Sequence, residues 1–71
     1  MSHPMIRQIV NRCHVSDSNR KVIRYVISRL KAGFRTYRKM SRSQRHTLMR
    51  QVIEVHERNR ELYRRVMSGR L

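Results

Sequence analysis

The sequence predicts an all-α protein, a small three-helix bundle or a helical hairpin with a short N-terminal helix. Three observations carry this. Apolar residues recur one turn apart in three stretches. Glycine and proline are sparse, confined to Gly33, Gly69 and Pro4, so turn signals are few. Strict apolar–polar alternation, the mark of a half-buried strand, is absent. The expected helices cover about 4–14, 19–39 and 42–67, within a single domain over residues 1–71.

The first helix starts at Pro4, whose fixed φ and missing N–H suit a first helical position. Met5, Ile6, Ile9, Val10 and Cys13 form its stripe. The polar segment Ser16–Asn19 interrupts the pattern, and Asp17 or Ser18 can cap the next helix by accepting a backbone N–H.

The second helix carries Val22, Ile23, Val26, Ile27 and Leu30. Gly33 is a weak point, costing about 1 kcal/mol relative to Ala in a helix interior. It could also serve as a C-terminal cap. The spacing of Ile23, Ile27, Leu30, Phe34 and Tyr37 nevertheless keeps one face running past it. One helix to Lys39 is therefore expected.

Ser41 and Gln44 spell a capping box ahead of the third helix. Leu48/Met49, Val52/Ile53, Val55, Leu62/Tyr63 and Val66/Met67 give that helix a stripe wide enough to touch two neighbours. Leu48, Val52, Val55, Asn59, Leu62 and Val66 also follow a heptad seam, in which a buried Asn59 would set the register of a paired dimer. The Glu57–Glu61 interruption makes Leu62, Tyr63, Val66 and Met67 a candidate partner or homodimer contact.

Charge gives the functional direction. The chain has 18 Lys and Arg against 4 Asp and Glu, a formal net charge of +14. All of these cations are arginine except Lys21, Lys31 and Lys39. Guanidinium is always charged and forks onto phosphate oxygens, so the composition points to nucleic acid. No acid occurs from Ser18 to Ile53, and eleven of the 18 cations lie there. At helical spacing Lys21, Arg24, Ser28, Lys31, Arg35 and Lys39 fall opposite Val22, Val26, Leu30 and Tyr37, a basic ridge roughly 27 Å long. Arg38, Arg42 and Arg45 extend it around the turn into the third helix. The acids Glu54, Glu57 and Glu61 lie elsewhere, with Glu54–Arg58 and Glu61–Arg65 at favourable spacing.

The candidate nucleic-acid-binding residues are thus Lys21, Arg24, Lys31, Arg35, Arg38, Lys39, Arg42 and Arg45. The expected partner is DNA or structured RNA, DNA first because one rigid helix can enter a major groove. An acidic protein partner and a ribosomal or other RNP setting are the alternatives. Phe34 and Tyr37 match the core phase, which leaves Tyr25 as the more exposed aromatic.

Catalysis has no support in the sequence. No glycine-rich phosphate loop, HExxH or paired-carboxylate pattern occurs. His3, His14, His46 and His56 do not gather, and Cys13 beside His14 is too small a set for a metal, so neither a metal nor a cofactor is expected. A lone cysteine excludes an internal disulfide. No apolar run approaches the roughly 18–20 residues needed to span a bilayer. A cytoplasmic, nucleoid or nuclear setting is expected. The Arg-bearing, acid-poor start also keeps the mitochondrial matrix open.

Overall fold

The computed structural model describes residues 4–33 and 35–69, and four helices account for most of them. They are α1 (Pro4–Asn11), α2 (Asn19–Gly33), α3 (Arg35–Arg38) and α4 (Arg42–Gly69). No strand occurs among the described residues. The three long helices α1, α2 and α4 pack on one another. The protein is thus a small helical bundle.

Each helix contributes one face to a common core. Ile6, Ile9 and Val10 come from α1, Val22, Val26 and Leu30 from α2, Tyr37 from α3, and Val52 and Val55 from α4. Met5, Cys13, Ile23, Ile27, Leu48 and Met49 pack around them. Two-wide stripes are what a three-helix arrangement needs, because each helix has two neighbours. Tyr25 also packs against the core and is only partly exposed, which corrects its expected place on the surface. Position 25 sits at the edge of the stripe, where the ring can lie along its neighbours with its hydroxyl outward.

The connection between α1 and α2 explains why α1 is shorter than expected. Its last turn tightens, with Arg12 N–H donating to Ile9 O and Cys13 N–H to Val10 O. The Asp17 carboxylate then accepts His14 N–H at 3.0 Å, while Asp17 N–H donates to His14 O at 3.0 Å. This reciprocal turn takes the chain out of the helix before position 14. Of the two candidate caps, Ser18 serves α2, its Oγ accepting Lys21 N–H at 3.2 Å.

Of the interval expected as one helix over 19–39, residues 19–33 and 35–38 are helical, as α2 and α3. Phe34, whose side was expected to match the core, lies outside the described residues. Lys39 and Met40 close α3 with bonds to Thr36 O and Tyr37 O, the tight geometry of a helix end. Phase is preserved across the junction, since Tyr37 is buried as its spacing from Leu30 requires. Gly33 does not adopt the left-handed conformation of a helix cap, and an added Cβ there meets nothing within 4 Å. Gly33→Ala is therefore expected to raise stability by about 0.5–1 kcal/mol, read as a higher denaturant midpoint at unchanged m value.

The capping box at the start of α4 forms in both directions. Gln44 N–H donates to Ser41 Oγ at 3.2 Å, and Ser41 N–H donates to Gln44 Oε1 at 2.9 Å. Ser41→Ala removes one of these bonds. It should cost about 1 kcal/mol, seen as a fall of about 4–8 °C in Tm.

At 1.5 Å per residue α4 is about 42 Å long, close to the 48 Å long axis of a molecule only 20 Å across. Its first half is held by the bundle. His56 is buried at 1% exposure, and its Nε2–H donates to the Asp17 carbonyl at 2.7 Å. Asn59 Nδ2 donates to Asn11 Oδ1 at 2.9 Å. The alternative reading of a heptad seam does not hold along its length: Val52 and Val55 belong to the chain's own core, and Asn59 pairs within the chain. From position 60 onward every described residue of α4 is exposed.

Candidate nucleic-acid interface

The basic face is built by α2 turning its core stripe inward. With Val22, Val26 and Leu30 buried, the residues on the opposite side of the helix must face water. Lys21, Arg24, Ser28 and Lys31 are all exposed. Arg35 and Arg38 on α3, Lys39 in the following turn, and Arg42 and Arg45 on α4 are exposed too.

Arg24, Lys31 and Arg38 are seven positions apart, the spacing of one helix face. Arg24, Lys31 and Arg38 share the rim of one open depression of about 570 Å³, floored by Ile27, Ser28 and Ala32. Three cations around a shallow, partly apolar floor can hold phosphate oxygens, and the Ser28 hydroxyl can donate to one of them. Arg24, Lys31, Arg35, Arg38, Lys39 and Arg42 form no ion pair among the described residues, whose three bridges lie at Asp17–Lys21, Glu61–Arg64 and Glu61–Arg65. Their charges are open to a polyanion. Glu54 and Arg58, expected to pair, do not.

Two candidate residues have divided roles. Lys21 reaches the Asp17 carboxylate at 3.3 Å while 73% of its side chain stays exposed. Arg45 lies over the Tyr37 ring, 5.3 Å from its centroid, and its Nη2 donates to Arg38 O at 3.4 Å. It therefore holds α3 against α4 as well as adding charge. Arg20 was not among the candidates. It is exposed and one turn ahead of Arg24, a spacing that extends the same face. Arg29 lies apart, lining a depression between α1 and α2 with Arg12 and Gln8.

Two groups near the first connection are perturbed. Partial burial pushes the Asp17 carboxyl up, but the His14 N–H bond and the Lys21 ammonium outweigh it and hold the group below its ordinary value. Burial, and then Asp17, push the Cys13 thiol up against the pull of Lys21. A thiol with a raised pKa is a weak nucleophile at neutral pH. Among the described residues no group of His, Cys, Asp and Glu is assembled to hold a metal ion. No described helix is long and apolar enough to cross a membrane.

No protein-family model matches the chain, and neither a curated protein nor a solved structure does. The functional reading therefore rests on the geometry and charge above.

Proposed function

We propose that this protein binds nucleic acid through the α2–α3 face and the start of α4, as an architectural or regulatory component rather than a catalyst. Duplex DNA is the first expectation, and structured RNA, in a ribosomal or other RNP setting, stands beside it. The observation that carries the reading is the ridge of exposed cations at helical spacing, directly opposite the buried stripe of α2, of which Arg24, Lys31, Arg35 and Lys39 form no ion pair among the described residues. Phosphate contact requires positive charge repeated along a line, not an enclosed pocket. A bulk solubilising charge would require no such alignment.

The alternative, docking on an acidic protein, uses the same cations. The length and regularity of the ridge favour a polyanion of repeating charge. α2 is a rigid helix of 15 residues whose outer face is free, a shape that a major groove admits.

The test is the salt dependence of duplex binding by protein freed of nucleic acid. Engagement of about five phosphates predicts a log–log slope near −4.5. A slope near zero, or no duplex binding at low salt, would remove the proposal. Capture of an acidic protein at fixed stoichiometry from nuclease-treated lysate, with no duplex binding, would favour the alternative.

A further inference from the structure

The last three turns of α4 leave the bundle with an apolar face uncovered. Leu62, Tyr63, Val66 and Met67 are 47–57% exposed. They do not form a new stripe: their spacing continues the face that buries Val52, Val55 and His56. The bundle simply ends at Asn59, while the amphipathic pattern runs on. Beside the first turn of this segment, Val15 and Ser16 of the α1–α2 connection form a notch with Tyr63 and Met67.

We propose that this protruding face is a docking site for an acidic amphipathic helix of another protein. Charge selects that occupant. At 100° per residue, Arg58 and Arg65 border the apolar face on one side, and Arg60 and Arg64 on the other. The acids Glu54, Glu57 and Glu61 fall on the back of the helix, where Glu61 meets Arg64 at 3.4 Å and Arg65 at 3.5 Å. Arg58 and Arg60 have no ion pair among the described residues. A second copy of the chain would bring like-charged arginine borders together, on molecules each carrying +14. A helix with apolar residues at i, i+3, i+4 and i+7 and acids along its edges matches both the stripe and its border. This goes beyond nucleic-acid binding, because it gives the elongated molecule a second, separate end for a protein.

The probe is a synthetic helical peptide with leucines at that spacing and glutamates along both edges. Its control is an isomer of identical composition in scrambled order, so that charge is equal and only the stripe is lost. Anisotropy titrations use protein freed of nucleic acid at moderate salt. The amphipathic peptide is expected to bind about tenfold more tightly than its isomer. Leu62→Ser with Val66→Ser, and separately Tyr63→Ser with Met67→Ser, should abolish that preference. Because these side chains lie outside the core, both variants should keep the wild-type helical signal. Arg24→Glu with Lys31→Glu and Arg35→Glu should retain the preference, so this test stands or falls apart from duplex binding. Equal binding of the two peptides would overturn the proposal, as would a preference that survives either patch variant. A wild-type dimer that the patch variants convert to monomer would assign the face to a second copy. Loss of duplex binding in the patch variants would assign it to nucleic acid. Either result overturns the proposal.

Discussion

Val26→Asp is expected to leave the chain without a cooperative thermal transition and with most of its helical circular dichroism lost. Val26 is 0% exposed, at the centre of the face that α2 presents to the core. A carboxylate there has neither water nor a partner, and the site must open or the group must neutralise. Either route costs about 4 kcal/mol or more. A 71-residue domain has a total stability of only about 4–10 kcal/mol. Position decides the outcome, not chemistry. Val66→Asp makes the same change on a side chain that is 57% exposed and should alter stability by about 0.5 kcal/mol or less. A Val26→Asp protein with a sharp, near-native transition would mean that the core is not where α2 buries it.

Much of this core was legible in the sequence because helical periodicity and burial express the same constraint. Val22, Val26, Leu30 and Tyr37 were set opposite the cations by spacing alone, and they are buried. The capping box was equally readable, since Ser41 and Gln44 need only each other's backbone. What failed depended on contacts distant in sequence. Asn59 fits a dimer seam in its own helix, but its partner is Asn11, 48 positions away. The partner of His56 was equally out of reach. One turn beyond Val52 the phase of His56 already placed it inward, yet the Asp17 carbonyl that satisfies it is visible only once the first connection is folded. The early end of α1 follows from the same connection, where the Asp17 side chain competes for a backbone N–H. Within the candidate interface, the exposure of the ridge was readable. The lodging of Arg45 on Tyr37 was not, because it depends on how the start of α4 meets α3.

The second large effect is expected in binding. Reversing Arg24, Lys31 and Arg35 to glutamate removes three contacts from the middle of the ridge. Each contact contributes about eightfold at 0.1 M salt through counterion release, so three account for about 500-fold in duplex affinity. The salt slope should fall from near −4.5 to about −1.8. All three side chains are exposed and free of ion pairs among the described residues. The fold should therefore survive, and the loss can be read as binding.

The most direct measurement compares that variant with one of identical net charge, Arg7→Glu with Arg12→Glu and Arg60→Glu, whose side chains are exposed but off the ridge. Duplex affinity is measured for both across a salt series. An aligned adhesive face predicts a loss of roughly two orders of magnitude or more, with a shallower slope, for the ridge variant, and a change of less than about tenfold for the other. Equal losses in the two variants would contradict the account, leaving total charge, and not its arrangement on α2, as the source of any attraction.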